Sequence, residues 1–310
     1  MITSRKNPFV QRARAVREGR ERGLIFVEGL RLCEEAEAAA LDFEFVLYDA
    51  ALEHDERAAR LLSSLRRRCR EVLAASREVI ESASDTKTSQ GVIAVARRPG
   101  FSNSPTHSPT QTTAHSSAHS PASSPPHLPP YSPSHSPGLQ PASGLTPGIT
   151  PGLIGRGVNP LVVVMHRVNN PSNAGAMLRV AEAAGATSVV ATQGSTDLFS
   201  PKSLRGSMGS AFRLPVWAGP SYEEALSWCA ENGVRTVATD LDARAAHTDL
   251  DWTVPRAVIL GPEAGGLSPE EAGRADDAVR IPMREPVESL NVATALAVLL
   301  YEAARQRNFK

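Results

Sequence analysis

Residues 101–155 contain no Asp, Glu, Lys or Arg, and this divides the chain before any element is assigned. Ser, Pro, Thr and His fill the stretch, in phrases such as Ser132-Pro-Ser-His-Ser-Pro137 and Ser123-Ser-Pro-Pro-His-Leu-Pro-Pro130. A segment of this kind cannot bury enough apolar surface to offset the entropy of ordering it. Residues 99–157 are therefore expected to be a disordered linker, extended where Pro is dense. It separates an N-terminal unit, 1–98, from a C-terminal unit, 158–310, and a length of 310 residues suits two domains. The five linker histidines (107, 115, 119, 127, 135) keep no fixed spacing, so no metal site is assigned to them.

In the N-terminal unit short β-type runs alternate with helical ones. Leu24–Val27, Phe43–Tyr48, Glu71–Leu73 and Gly91–Ala96 read as strands, and Leu30–Ala40, Asp55–Arg68 and Arg77–Ser82 as helices. The expectation is a small α/β domain. Its first 22 residues hold seven basic and two acidic side chains. Arg5, Lys6, Arg12 and Arg14 are candidate nucleic-acid contacts, because a planar guanidinium can engage two phosphate oxygens at once. A solvated helix face is the plain alternative, and Arg66-Arg-Arg68 with Arg70 repeats the ambiguity. Phe9, Phe26, Phe43, Phe45 and Tyr48 are assigned to the core rather than to base stacking.

The C-terminal alternation is longer. Leu161–Met165, Thr187–Ala191, Val234–Thr239, Ala257–Leu260 and Ala278–Ile281 read as strands; Asn173–Ala184, Tyr222–Glu231 and Ser289 to about Arg307 read as helices. Strands alternating with helices imply a mostly parallel sheet covered on both faces. No G-x-G-x-x-G follows the first strand and no G-x-x-x-x-G-K-[ST] occurs, so the common dinucleotide and nucleoside-triphosphate readings lose their support. Cys33, Cys69 and Cys229 lack metal-ligand or framework spacing and are expected as packed, reduced thiols. No apolar run approaches a membrane span and no apolar core follows the basic N-terminus, so a cytoplasmic protein is expected.

Three polar constellations follow strands. Asn170-Pro-Ser-Asn-Ala-Gly-Ala-Met-Leu-Arg179 has the capping residues of a helix start, which account for Ser172 or Asn173 but not for Arg179. Leu260-Gly-Pro-Glu-Ala-Gly-Gly-Leu267 has glycines that permit tight turns and close approach of the main chain to a ligand, with an ordinary turn and a solvated Glu263 as the alternative. Ser289-Leu-Asn291 opens the last helix, where Ser289 could simply be its N-cap. Parallel sheets present ligands at their strand ends, which is where all three sit.

In this order, N-x-x-N-x-G-x-x-x-R, L-G-x-E-x-x-G-L and I-P-M-x-x-x-x-x-S-L-N-V (Ile281–Val292) resemble the motifs of the SpoU (TrmH) family of AdoMet-dependent RNA 2′-O-ribose methyltransferases. Ser207-Met-Gly209 adds to the resemblance. Arg5-Lys-Asn-Pro8 and Phe26-Val-Glu-Gly29 resemble the small substrate-binding domain of rRNA-modifying members. The resemblance implies a trefoil knot at the strand ends, an exception to the rule against threaded chains. It implies AdoMet held by the backbone around Thr239, Gly261, Ile281, Met283 and Leu290, and no metal. It also implies a homodimer, with the final helix (Leu290, Ala293, Leu296, Ala297, Leu300) facing a partner as well as the core. Arg179 matches the family's catalytic arginine; because a guanidinium stays protonated, phosphate binding and stabilisation of charge on the 2′-oxygen suit it better than general-base work. Asn173, Glu263, Ser289 and Asn291 match site positions and are expected to orient ribose, Arg179 and the donor. Glu285 and Pro286 depart from small or glycine-rich relatives. The added N-terminal domain favours rRNA; tRNA methylation and a non-catalytic RNA-binding protein are the alternatives.

Overall fold

The computed structural model describes residues 1–100 and 159–308. Beyond residue 100 the expected linker lies outside the described residues, as do its histidines. The N-terminal part runs α1 (Pro8–Arg17), β1 (Leu24–Glu28), α2 (Leu30–Ala38), β2 (Phe43–Asp49), α3 (Glu56–Arg68), β3 (Val72–Ala75), α4 (Arg77–Ala83) and β4 (Val92–Arg97). Its four strands are ordered β1-β4-β2-β3, with β4 antiparallel to both neighbours and β2 parallel to β3. Strand alternation sends β4 residues to opposite faces: Val92, Ala94 and Ala96 join one apolar cluster, Ile93 and Val95 another. The expected core aromatics are there, with Phe26, Phe43, Phe45 and Tyr48 buried and Phe9 edge-on to Phe45 at 5.2 Å between ring centroids.

The C-terminal part runs β5 (Leu161–Met165), α5 (Pro171–Ala183), β6 (Ser188–Ala191), α6 (Pro201–Ser207), α7 (Ser210–Arg213), β7 (Val216–Ala218), α8 (Tyr222–Glu231), β8 (Arg235–Thr239), β9 (Ala245–Ala246), β10 (Arg256–Leu260), α9 (Pro269–Ala272), β11 (Asp277–Arg280) and α10 (Val292–Gln306). The sheet is parallel throughout, ordered β7-β6-β5-β10-β8-β11-β9. Every residue of β5 is buried, Leu161, Val163 and Met165 on one side and Val162 and Val164 on the other, as a strand covered on both faces requires. Cys33, Cys69 and Cys229 are free and buried, and burial pushes the Cys33 and Cys229 thiols up to about 12.

Two helix starts differ from expectation. Asn170 caps α5, its side chain accepting from Ser172 N–H, with Pro171 in the first turn; neither Ser172 nor Asn173 is the cap. A proline just inside a helix start follows its cap, and Asn170-Pro171 carried that signal. Asn291, not Ser289, caps α10, accepting from Ala293 and Thr294 N–H at 3.0 and 3.3 Å. The short α6, α7, α9, β7 and β9 were not among the elements expected from sequence.

The two sheets share a core. One continuous apolar cluster contains Val92, Ala94 and Ala96 of β4 together with Leu161, Val163 and Met165 of β5. Charged pairs rim this seam: Arg98 with Asp197 (2.6 and 3.1 Å), Arg205 with Asp85 (2.8 Å), and Arg213 between Glu35 and Glu182.

Candidate active site

β10, β8 and β11 are adjacent and parallel, so the residues that leave them emerge at one end of the sheet. Thr239 ends β8, Gly261 follows β10 and Ile281 follows β11, which brings three of the five expected cofactor positions together. Thr239 Oγ1 donates to the Ile259 carbonyl at 3.0 Å, tying two of these strand ends. A Cβ at Gly261 would lie 2.5 Å from Leu267 N and 2.6 Å from the Gly266 carbonyl carbon, so this glycine is required first by the closure of its own loop, not by ligand approach. Met283 and Leu290 lie in the long segment between β11 and α10. Large apolar side chains are exposed here as well: Leu241 after β8 (58%), Val287 (53%) and Leu290 (37%). Leu241 carries no motif and was not foreseen.

The three motifs meet through side chains. Glu263 accepts from Asn169 N–H (3.3 Å), Asn170 N–H (3.2 Å) and Asn173 Nδ2 (3.1 Å). Asn291 Nδ2 donates to Asn173 Oδ1 at 3.1 Å. Desolvation would raise the Glu263 carboxyl, but hydrogen bonds from its own backbone, from Asn173 and from Asn169 and Asn170 outweigh it and hold it below the ordinary carboxylate range. An ionised carboxylate with its oxygens so engaged is an anchor for the β5–α5 loop rather than a base. Ser289 is exposed and makes no hydrogen bond among the described residues. Arg179 is also exposed, with no hydrogen bond or ion pair among the described residues. Six residues along α5 place it about 9 Å along the axis and about 120° around from Asn173, so it stands off the cluster.

A second tie between the same two loops escaped the sequence reading. His166, at the exit of β5 and 4% exposed, lies 3.0 Å through Nδ1 from Thr192 Oγ1 and 3.1 Å through Nε2 from Glu271 Oε1. Glu271 also receives Arg167. Burial lowers the imidazole below its ordinary value, against the opposing hydrogen bond to Glu271. An adjoining cavity of about 340 Å³ is lined by His166, Tyr222, Glu271 and Arg274 and by none of the motif residues.

The leading basic residues are partly committed elsewhere. Arg12 pairs with Glu21 and Glu44 at 3.2 and 3.4 Å, and Arg14 donates to the Ser82 carbonyl at 3.1 Å. Arg17 donates to the Ala83 and Ser84 carbonyls, so α1 is bolted to the end of α4. Arg5 and Lys6 keep side chains without a hydrogen bond or ion pair among the described residues. In the second basic cluster Arg66 donates to Tyr48 Oη and Arg68 to the Glu37 carbonyl, both at 2.8 Å.

Residues 160–301 match the family model described as SpoU rRNA Methylase family, and residues 7–94 match that of the MRM3-like substrate binding domain. The chain carries a SpoU-family methylase domain. The methylase domain is similar to the 23S rRNA (uridine(2479)-2′-O)-methyltransferase of Streptomyces viridochromogenes, 37% identical over 152 residues, 47% of this chain and 53% of that protein. The chain spans about half the length of the first curated relatives it matches. Its fold is similar over 99% of both chains to a crystal structure of an RNA 2′-O ribose methyltransferase (27% identity, TM-score 0.70). It is also similar to the SpoU methyltransferase AviRb from Streptomyces viridochromogenes in complex with the cofactor AdoMet (25% identity, 98% of this chain and 99% of that one, TM-score 0.74).

Proposed function

We propose that the chain transfers a methyl group from AdoMet to a ribose 2′-hydroxyl of rRNA, with residues 1–98 binding substrate, 158–310 catalysing, and 99–157 linking them. The observation that carries this reading is the closed set Asn291–Asn173–Glu263, which joins three sequence-distant motifs of one SpoU methylase domain at one end of a parallel sheet. The strand-end loops suit AdoMet. Exposed Leu241, Val287 and Leu290 offer apolar surface to a flat adenine, while Thr239, Gly261, Ile281 and Met283 offer main-chain groups nearby. The trefoil knot belongs to the same reading and is supported by the convergence of the loops after β8, β10 and β11.

AdoMet supplies its methyl group already activated as a sulfonium. What remains for the chain is to align donor and acceptor and to ease loss of the hydroxyl proton. Asn173, Glu263 and Asn291 are engaged with one another and act as positioning residues. Arg179 and Ser289, whose side chains have no partner among the described residues, are the side chains able to meet RNA and donor. A permanently charged Arg179 stabilises developing charge on the 2′-oxygen and grips the adjoining phosphate.

A cytoplasmic homodimer completes the proposal. Of the residues expected to face both core and partner, Ala293, Leu296 and Leu300 are buried in the core and Ala297 is half-buried, while Leu290 is exposed. The outward stripe through Thr294, Val298 and Tyr301, the last 54% exposed, is the surface left for a second subunit. The test is transfer of labelled methyl from AdoMet to unmodified rRNA, with Arg179→Ala losing transfer while keeping AdoMet binding and fold. Transfer to tRNA alone would overturn the substrate. Absence of transfer to any RNA would leave a non-catalytic RNA-binding protein.

A further inference from the structure

The seam between the two sheets carries cations that neither the fold nor the motif cluster uses. Its centre is residues 84–90, which join α4 to β4 and fold around the buried Glu28. The Glu28 carboxylate accepts from Asp85 N–H at 2.9 Å and from Thr86 Oγ1 at 3.1 Å, giving the loop a defined shape. From this loop Asp85 pairs with Arg205 of α6 at 2.8 Å, and Gln90 Oε1 accepts from Leu30 N–H at the start of α2 at 3.1 Å. A Cβ at Gly29 would sit 2.7 Å from that same Gln90 oxygen. On its other side α6 lies against the first turns of α5, where a Cβ at Gly206 would be 3.4 Å from the Ser172 carbonyl. The start of α2, loop 84–90, α6 and the start of α5 thus form one continuous surface ending beside Asn173.

Along it Arg31, Lys87 and Lys202 are exposed and make no hydrogen bond or ion pair among the described residues. Arg31 is two residues past Gly29, Lys87 two past Asp85, and Lys202 one helical turn before Arg205. Of the carboxylates nearby, Asp85 pairs with Arg205 and Glu34 with Arg57, Glu35 shares Arg213 with Glu182, and Glu28 is buried beneath the loop. The seam therefore presents three exposed cations that no carboxylate pairs with among the described residues, Glu34 acting on Arg31 only through space, whereas Arg12, Arg14 and Arg17 of the leading helix are tied down.

We infer that this seam, rather than α1, carries the sugar-phosphate backbone of the RNA toward Arg179, with Arg31, Lys87 and Lys202 as phosphate contacts. The inference rests on the function proposed above and adds the place where substrate binds. Phosphate contacts set register without reading sequence. Because the two halves share a core and are pinned by Arg98–Asp197, Arg205–Asp85 and Glu35–Arg213–Glu182, cations from both keep a fixed spacing. A strand gripped by Lys87 on one half and Lys202 on the other is held at a constant distance from the site.

The experiment compares the full chain with Arg31→Ala/Lys87→Ala/Lys202→Ala and with Arg5→Ala/Lys6→Ala. RNA affinity is measured by fluorescence anisotropy on an rRNA fragment across a salt series, with AdoMet affinity and thermal unfolding measured in parallel. The seam variant is expected to bind RNA at least about tenfold more weakly, and its log–log salt slope to fall by about 2, three phosphate contacts at roughly 0.7 each on a single strand. Its AdoMet affinity and unfolding temperature are expected to stay at wild-type values. Wild-type RNA binding with an unaffected seam variant overturns this inference alone, the more so where Arg5→Ala/Lys6→Ala takes the loss. Wild-type protein that binds no RNA removes the function reading itself, and the seam with it.

Discussion

Gly175 sits inside α5, and its replacement by alanine is a test in which the sign is decisive. In an open helix interior the change would stabilise, since alanine is favoured over glycine by about 1 kcal/mol. Here a Cβ would lie 2.4 Å from the Ser203 carbonyl oxygen and 2.9 Å from Gly206 Cα, closer than a carbon can approach either atom. Both obstacles are backbone, so no rotamer change relieves them and α5 must move away from α6. Overpacking of this kind costs about 1–3 kcal/mol, and with backbone on both sides the upper half of that range applies. Subtracting the propensity gain leaves a net loss of about 1–2 kcal/mol. With a shift of about 2–4 °C per kcal/mol for a domain of this size, the unfolding temperature should fall by about 2–8 °C. Scanning calorimetry of Gly175→Ala against wild type measures it directly. Gly206→Ala is the control, because its nearest obstacle is Gly175 Cα at 3.2 Å, a distance that small adjustments can relieve. An unchanged or raised unfolding temperature for Gly175→Ala, or a larger loss for Gly206→Ala, would refute the idea that backbone contact fixes the helix bearing Asn173 and Arg179.

Three further outcomes are expected. Glu263→Gln should weaken AdoMet binding by about tenfold in calorimetric titration while leaving the fold intact, because the amide cannot accept from all of Asn169, Asn170 and Asn173, and solvent limits what an exposed carboxylate contributes; wild-type affinity would deny it the anchoring role. His166 is held neutral by burial, so its contribution is present above its unfolded-state value and is lost as pH falls through its lower folded-state value; between about pH 5 and 8 wild type should lose more unfolding temperature on acidification than His166→Gln, and parallel curves would contradict this. Arg213→Ala should cost no more than about 1 kcal/mol, since Arg213, Glu35 and Glu182 are all partly exposed, with the loss shrinking as salt rises; a loss well above that, indifferent to salt, would mean that the side chain matters through packing.

The alternation of strands and helices was legible because β5 and β10 are buried on both faces, which writes the apolar runs Leu161–Met165 and Ala257–Leu260 into the chain. Asn173, Glu263 and Asn291 were legible through motif order. Their division of labour was not: that Glu263 holds two backbone N–H groups and Asn173 while Arg179 stands apart depends on where β5 and β10 lie as neighbours, a relation between residues 90 or more positions apart. His166 and Glu271 carried no signal, since a histidine after a strand and a glutamate in a helix start become partners only when the two loops meet.

What the sequence determined by itself is local: an uncharged tract in mid-chain, the periods of the elements, the polar motifs at strand exits. These depend on near neighbours along the chain, where side-chain period and capping chemistry act directly. Tertiary structure alone decided which arginines are free and which are bound. Arg12 and Arg14 look in sequence like Arg31 and Lys87, but the first two find Glu21, Glu44 and the Ser82 carbonyl across the fold, and the others make no hydrogen bond or ion pair through their side chains among the described residues. A cation's availability depends on what the fold brings within about 4 Å of it.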